Sequence, residues 1–119
     1  MPSEKRKLGD TGEEFARKYL VSKGYAIDFC NYQKPWGEID IVARETNNKI
    51  HFIEVKSLTA VLDNNGNVSR ETKYFPEDSI QLWKIKRLKR AIKSYLLEKK
   101  IFDFVDWEFD IVSIFIDPE

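Results

Sequence analysis

Gly37–Lys56 reads GEIDIVARETNNKIHFIEVK, a pattern typical of a β-hairpin. Apolar and polar residues alternate through much of Glu38–Arg44 and Lys49–Lys56, which predicts two strands. The link between them, Glu45–Asn48, has the residue types of a hairpin turn. If the hairpin is centred on Asn47, the numbers of facing residues sum to 94.

This register brings acidic side chains together. Asp40 then faces Glu54, and Glu38 faces Lys56. Opposed Cβ atoms are about 5 Å apart, and like charges at that distance are destabilising. A divalent cation would neutralise Asp40 and Glu54, because hard cations take carboxylate oxygens as ligands. Side chains alternate between faces along a strand. In Glu38–Arg44, the residues Glu38, Asp40 and Val42 therefore share one face, and the other face holds Ile39, Ile41 and Ala43.

Two carboxylates and a lysine suit the hydrolysis of a phosphodiester. Carboxylates hold Mg²⁺ or Mn²⁺, which polarises the phosphate and lowers the pKa of a bound water. Lys56 can orient that water or stabilise charge that develops on the phosphorus centre. The pattern alone leaves a plainer alternative open, in which Glu38–Lys56 is a cross-strand salt bridge and Asp40–Glu54 belongs to a slipped register on a solvated face.

A helix is predicted before the hairpin, over about Gly12–Lys23, and ended by Gly24. Thr11 and Glu14 have the spacing of a capping box, with Thr11 as the N-cap. Residues 1–9 are interpreted as a flexible basic lead. The expected apolar face of this helix consists of Ala16, Tyr19 and Leu20.

Glu13 is the candidate acidic residue of this helix. It lies three residues before Ala16 and seven before Leu20, on the apolar side. A carboxylate on a buried face needs a partner, which would make Glu13 an outer member of the metal site. The alternative is an acidic residue at a helix start, which the helix dipole favours.

The remaining elements complete an α-β-β-β-α-β order. Tyr25–Asn31 predicts a first strand, and a second helix runs from a cap at Asp78 or Ser79 to about residue 100. Residues 57–79 are interpreted as a variable flap or loop, and Trp107–Ile116 as the last strand. Because hairpins are antiparallel and crossovers give parallel neighbours, the sequence predicts a mixed sheet flanked by helices. The 119 residues indicate a single domain, 1–119.

Charge is balanced in total but uneven along the chain. There are 20 basic and 20 acidic residues, yet six of the ten residues in 84–93 are Lys or Arg and none is acidic. Such a run is a candidate footprint for a phosphate backbone, although it can also be a plain solvated face. The candidate nucleic-acid-binding residues are Lys84, Lys86, Arg87, Lys89, Arg90 and Lys93.

The remaining features of the sequence add no candidate site residues. Cys30 is the only cysteine, which excludes an intrachain disulfide and suits a reducing cytoplasm. No apolar run is long enough for a membrane span, and the basic N-terminus has no apolar stretch behind it, so we expect a cytoplasmic protein. His51 falls on the face opposite Glu54 and is interpreted as structural.

These residues together resemble the pattern of a known family. Asp40 followed by Glu54-Val55-Lys56 resembles the PD-(D/E)XK signature of restriction-endonuclease-like proteins, whose common core has the order α-β-β-β-α-β. More closely, the chain resembles the bacterial YraN family, which is similar to archaeal Holliday-junction resolvases. The resemblance runs from about residue 9 to 114. Its matching stretches are Gly12-Glu13, Tyr19-Leu20, Gly24-Tyr25, Gly37-Glu38-Ile39-Asp40, Phe52-Ile53-Glu54-Val55-Lys56, Lys84 with Leu88, Tyr95-Leu96 and Phe109-Asp110-Ile111-Val112.

The resemblance implies a nuclease fold that depends on Mg²⁺ or Mn²⁺, with Glu13, Asp40, Glu54 and Lys56 at the active-site positions. Three functions follow as hypotheses. The first is an endonuclease acting on structured or damaged DNA, as in DNA repair, and the complete acidic and lysine set favours it over the second, an inactive nucleic-acid-binding module. The third is a protein-interaction domain, which the zero net charge favours. The sequence leaves open whether the nucleic acid is DNA or RNA, and whether the chain forms a homodimer.

Overall fold

The computed structural model describes residues 4–59, 64–66, 82–101 and 105–116, and its elements follow the predicted order. They are α1 (Glu4–Ser22), β1 (Ala26–Lys34), β2 (Gly37–Arg44), β3 (Ile50–Thr59), α2 (Leu82–Glu98) and β4 (Trp107–Ile116). The strands form one sheet in the order β1-β2-β3-β4. The pairs β1–β2 and β2–β3 are antiparallel, and β4 is parallel to β3. The predicted mixed sheet with two helices is therefore confirmed.

The β2–β3 hairpin has the predicted register. Its Cα partners run from Arg44–Ile50 to Ile41–Ile53, and each pair sums to 94. Asn48 adopts a φ of 71° in the turn, a left-handed conformation that asparagine tolerates better than most residues. The Asn47 side chain accepts a hydrogen bond from the Lys49 amide at 3.0 Å. The turn chemistry therefore sets the register that brings the two acidic residues together.

Helix α1 begins earlier than predicted. It starts at Glu4, so Thr11 lies inside the helix and the predicted N-cap is wrong. Glu14 instead pairs with Lys18 at 3.2 Å, one turn along. The predicted basic lead, residues 1–9, overlaps the helix from Glu4 onward. The end of α1 is as predicted, because Gly24 at a φ of 91° closes it.

The sheet carries one core on each face. On the α1 side, Ala16 and Leu20 pack against β2 and β3. On the α2 side, the buried face of the helix packs around Phe52; it consists of Leu88, Ala91, Ile92 and Tyr95. Tyr19, predicted on the apolar face of α1, is 56% exposed. That prediction is wrong, because the buried stripe of α1 is the narrow one formed by residues 12, 16 and 20.

The alternation of β2 breaks at Asp40. Ile41 packs in the α1-side core, but Ile39 packs in the α2-side core with Val42, although Ile39 and Ile41 were expected to share a face. Opposite Asp40, Asn31 of β1 has a φ of 56° and lies between the pairs Cys30–Ile41 and Tyr32–Ile39. A left-handed residue disturbs the regular pleat, so Asp40 lies where β2 changes face.

Gly37 brings β2 close to α2. A Cβ at this position would fall on the Arg87 carbonyl oxygen and within 3.2 Å of the Ala91 Cβ. Because the first clash is with helix backbone, Gly37→Ala should destabilise the protein by about 1–3 kcal/mol, as overpacking does. Urea unfolding would measure this loss. Gly12→Ala is the comparison, because a Cβ there would meet Ser57, first its hydroxyl and then its Cβ and Cα. Since the hydroxyl can rotate away, Gly12→Ala should cost less stability than Gly37→Ala. An equal loss of stability in the two variants would contradict this explanation.

Part of the predicted flap continues the sheet. Residues 57–59 extend β3, and residues 64–66 form a turn with Gly66 at a φ of 79°. The rest of 57–79 lies outside the described residues, as does the predicted cap at Asp78 or Ser79. Neither α1 nor α2, the two helices in the described ranges, is long and apolar enough to cross a membrane.

Candidate metal centre

Asp40 lies where the β2–β3 backbone pairing ends. The last Cα pair of the two strands is Ile41–Ile53, and just beyond it the Val55 amide donates a hydrogen bond to Asp40 Oδ2 at 2.7 Å. The Asp40 and Glu54 carboxyl groups lie close enough for each to shift the pKa of the other. The side chain of Asp40 therefore bridges the two strands and is held next to Glu54.

The shared burial changes the proton affinity of this acidic pair. Burial, followed by the charge of Asp40, raises the pKa of Glu54 to about 7. Burial also raises the pKa of Asp40, although the hydrogen bond from the Val55 amide acts in the opposite direction. Two carboxylates this close cannot both ionise cheaply. Near neutral pH a proton on Glu54 stabilises the pair. A cation bound between the two carboxyl groups can replace that proton.

Two more charges act on the pair from different elements. Glu38 raises the pKa of both carboxyl groups through its negative charge, and Lys84 of α2 lowers both. Glu38 therefore lies close enough to the pair to increase its negative potential. Its predicted position opposite Lys56 stays a prediction, because the described pairing ends at Ile41–Ile53.

Lys56 is partly buried and follows Glu54 by two residues on β3. Successive side chains in a strand point to opposite faces, so Lys56 shares the face of Glu54. Its Cα partner on the parallel strand β4 is Ser113. Glu54 and Lys56, the two candidate site residues of β3, are therefore expected on one face of the sheet.

Glu13 reaches the site from α1. It is partly buried and lines a cavity of about 230 Å³ together with Asp40. Asn31 and Cys30 of β1 line the same cavity. The structure therefore brings Glu13 and Asp40 to one cavity, on the side of the sheet that α1 covers.

Comparison with known proteins places this arrangement in a family. The model of the uncharacterised protein family UPF0102 matches residues 12–114. The chain belongs to family UPF0102. A UPF0102 protein of Lachnoclostridium phytofermentans is 39% identical over 108 residues, covering 91% of this chain and 82% of the relative. The UPF0102 protein of Syntrophomonas wolfei is 37% identical over 113 residues, covering 94% and 87%.

The similarity extends over nearly the whole chain. A UPF0102 protein of Corynebacterium efficiens is 30% identical over 118 residues, which are 99% of this chain and 85% of the relative. The family match covers, at least in part, each of the two helices and four strands described above. It includes Glu13, Asp40, Glu54 and Lys56. The names of these relatives state no reaction, so the function of this UPF0102 chain is argued from its site.

The position of Lys84 was missed at the sequence level. Sequence reasoning grouped it with the basic run of α2, but its charge acts on Asp40 and Glu54. The signal was available in its spacing: Lys84 precedes the buried Leu88 and Ala91 by four and seven residues, so it lies on the helix face that meets the sheet. Lys84 is thus a cation beside the acidic pair.

The rest of the basic run faces away from the sheet. Four of its exposed side chains lie opposite the buried stripe of α2; they are Lys86, Lys89, Arg90 and Lys93. Arg87 is partly buried and donates a hydrogen bond to the Pro35 carbonyl at 3.3 Å. The described part of α2 therefore presents a continuous basic surface, which we call the α2 basic face.

Proposed function

We propose that this UPF0102 chain is a metal-dependent endonuclease that hydrolyses phosphodiester bonds in structured or damaged DNA. The observation that carries the proposal is the Asp40–Glu54 pair, two partly buried carboxyl groups at the end of the β2–β3 pairing, where the Val55 amide holds Asp40 and the Glu54 pKa is raised to about 7. A buried acidic pair costs stability. Perturbed carboxyl groups of this kind cluster at functional sites.

The donor set fits a hard divalent cation. Asp40 and Glu54 offer only oxygen ligands, which Mg²⁺ and Mn²⁺ prefer. Glu13 of α1 shares a cavity with Asp40 on the α1 side of the sheet, so it would act as an outer member of the site through Asp40. When bound, the cation would supply Lewis acidity toward a phosphate oxygen and a water of lowered pKa.

The chain's own residues have separate tasks in this proposal. The Val55 amide holds Asp40 in one orientation, so its oxygens are preorganised. Glu54 would hold the cation as a carboxylate, and the cation would take the place of the proton that the raised pKa favours near neutral pH. Lys56, on the same face, places an ammonium group where negative charge develops on the phosphate. Lys84 adds a second positive charge from α2 and limits the repulsion within the acidic pair.

Cleavage assays test the proposal directly. The purified chain is incubated with Mg²⁺ or Mn²⁺ and a panel of duplex, flap, fork, four-way junction and single-stranded DNA. We expect cleavage of at least one structured substrate, abolished by EDTA and by Asp40→Asn. If no substrate is cut with either metal, the proposal is wrong and the second candidate function takes its place.

The second candidate is a nucleic-acid-binding module of the same fold without activity. The α2 basic face favours it, because this surface lies opposite the buried stripe of the helix and does not depend on the acidic pair. Binding without cleavage, unaffected by Asp40→Asn, is the result that would distinguish the module from the enzyme.

The α2 basic face makes its own prediction. Changing Lys89, Arg90 and Lys93 to Glu should abolish DNA binding at moderate salt, because three phosphate contacts are lost and repulsion replaces them. The slope of log K against log salt should be shallower by about 3, roughly 0.9 for each phosphate. Fluorescence anisotropy over a salt series would measure both effects.

A matched control separates local from total charge. Lys18, Lys23 and Lys100 are exposed and lie outside the α2 basic face, so changing all three to Glu alters the net charge equally. This control should retain most of the affinity and the original slope. Equal losses in the two triple variants would show that net charge, and not this face, governs binding.

A further inference from the structure

A second group of ligand-type side chains lies on the α1 side of the sheet. His51 of β3 is the register partner of Glu108 on β4, and Asp110 follows two residues later. His51 Nδ1 lies 2.6 Å from Asp110 Oδ2 and 3.9 Å from Glu108 Oε2. One ligand atom from each residue falls within 4.8 Å of the others. Ligands about 2.0–2.2 Å from one tetrahedral ion lie roughly 3.4 Å apart, so the Nδ1–Asp110 contact would lengthen and the longer separations would shorten when an ion binds.

The imidazole of His51 is deeply buried and incompletely satisfied. The residue is 6% exposed, and its Nε2 has no hydrogen-bond partner among the described residues. Glu45 Oε2 lies 3.1 Å from Nε2, but not in the alignment of a hydrogen bond. An unsatisfied buried polar atom is costly. A metal-ligating imidazole characteristically donates its other ring N–H to a carboxylate, and Glu45 is placed to accept it after a small rotation.

Negative potential dominates around this ring. Asp110 Oδ2 lies 2.6 Å from Nδ1 and Glu45 Oε2 lies 3.1 Å from Nε2, so a carboxylate lies beside each ring nitrogen. Tyr25 contacts the ring edge-on at 5.1 Å. Its pKa is raised by burial and then by the charges of Glu45, Asp110 and Glu108. The surroundings therefore attract positive charge.

Lys49 supplies part of that charge. Its Nζ lies 2.6 Å from Glu108 Oε1, at the exposed edge of the group. The remaining acidic groups, Glu45 and Asp110, line a cavity of about 600 Å³ with His51 and Tyr25. This cavity provides an entry path for a small ion, which a credible metal site requires.

We propose that His51, Glu108 and Asp110 form a second metal site, selective for Zn²⁺ or a similar first-row transition ion, with Glu45 as the hydrogen-bond acceptor of the ring. The nitrogen donor decides the class of ion, because imidazole suits Zn²⁺ whereas Mg²⁺ prefers oxygen ligands. The site lies on the opposite face of β3 from Glu54, roughly 10 Å along the strand. It would tie β4 to β3 and to the end of the hairpin.

The test separates this site from the first one. In the Asp40→Asn/Glu54→Gln variant the carboxylates of the first centre are removed, and calorimetry with Zn²⁺ should still show one ion per chain. Co²⁺ should give the visible absorption of a low-coordinate site with nitrogen and oxygen ligands. Success or failure here is independent of nuclease activity, since neither measurement involves DNA.

Further substitutions in that background assign the ligands. His51→Asn should abolish Zn²⁺ binding, and Glu45→Gln should weaken it about 10–100-fold, as loss of a ring partner does. Lys49→Gln should strengthen binding, because it removes a competing cation from Glu108. Glu14→Gln, on the exposed side of α1, is the control and should change nothing.

The partly exposed Glu108 keeps the proposal falsifiable if His51→Asn does not fold. Glu108→Gln should lower Zn²⁺ affinity and reduce the Co²⁺ absorption while the chain stays folded. Absence of stoichiometric Zn²⁺ binding would overturn the proposal. So would binding that Glu108→Gln, Glu45→Gln and Lys49→Gln all leave unchanged, since the ion would then lie elsewhere.

Discussion

Lys56→Ala should lower the rate of DNA cleavage by about 10²–10³-fold, the usual effect of removing one preorganised electrostatic group. Lys56 shares the face of Glu54 on β3, so its ammonium group can reach a phosphate held at the acidic pair. Its charge matters most when the phosphate gains charge in the transition state, so kcat should fall more than substrate affinity. Single-turnover cleavage with saturating Mg²⁺ would measure the change.

The same variant tests the plainer alternative from the sequence. If Lys56 only pairs with Glu38 across the hairpin, Lys56→Ala should alter the free energy of unfolding and leave cleavage unchanged. Metal binding, measured by calorimetry, should stay nearly intact under our proposal. Lys18→Ala is the matched control, since this exposed lysine pairs only with Glu14 one turn away. Cleavage that survives Lys56→Ala at full rate would point to another site or a contaminating nuclease.

Local patterns were sufficient to predict the sheet and its register. The hairpin turn at Asn47 and Asn48 and the alternation of the flanking strands specify which residues face each other, and the observed pairs agree. The parallel placement of β4 followed from the crossover rule and is also observed. These features depend on residues close in sequence or on general chain topology, which is why one sequence is enough to infer them.

The departures arise where distant residues decide the geometry. The left-handed Asn31 of β1 lies opposite Asp40 and accompanies the change of face between Ile39 and Ile41, which strict alternation along β2 cannot anticipate. Tyr19 is exposed because the sheet covers only a narrow stripe of α1.

His51 shows the same limit from the functional side. Sequence alternation correctly placed it on the face opposite Glu54, but its partners Glu108 and Asp110 are almost sixty residues away along the chain. Only the parallel β3–β4 register brings them together. A search for histidine and carboxylate residues on neighbouring predicted strands would have found the pair, once β4 was aligned with β3.

Glu54→Gln should abolish metal binding and cleavage and yet stabilise the metal-free protein above pH 7. The pKa of Glu54 in the folded protein is raised to about 7, from an ordinary value of 4.5. A raised folded-state pKa means that the protonated carboxyl group stabilises the fold, fully below about pH 4.5, and that this contribution is lost as pH rises through about 7. Glutamine stays neutral at every pH, so the variant removes the charge repulsion with Asp40.

The size of the gain follows from the pKa shift. A shift of this size would correspond to roughly 3 kcal/mol for a fully buried group. Glu54 is only partly buried, so solvent screening reduces the expected difference to about 1–2 kcal/mol at pH 8. The difference between Glu54→Gln and wild type should be near zero at pH 4 and reach this value above pH 7. Urea unfolding in EDTA across this pH range would measure it.

Adding the cation should reverse the order of stability. With millimolar Mg²⁺ or Mn²⁺ at pH 8, the wild type should gain stability by mass action, because only its folded state has both carboxylates in place, whereas Glu54→Gln should gain little. Glu98→Gln is the control: this exposed glutamate pairs with Lys34, away from the acidic pair, so its removal should produce neither the pH-dependent gain nor the loss of metal response. If the difference in the free energy of unfolding between Glu54→Gln and wild type stays constant from pH 4 to 8, Glu54 ionises as an ordinary surface carboxylate. The acidic pair would then lack the raised pKa on which the proposed metal site depends.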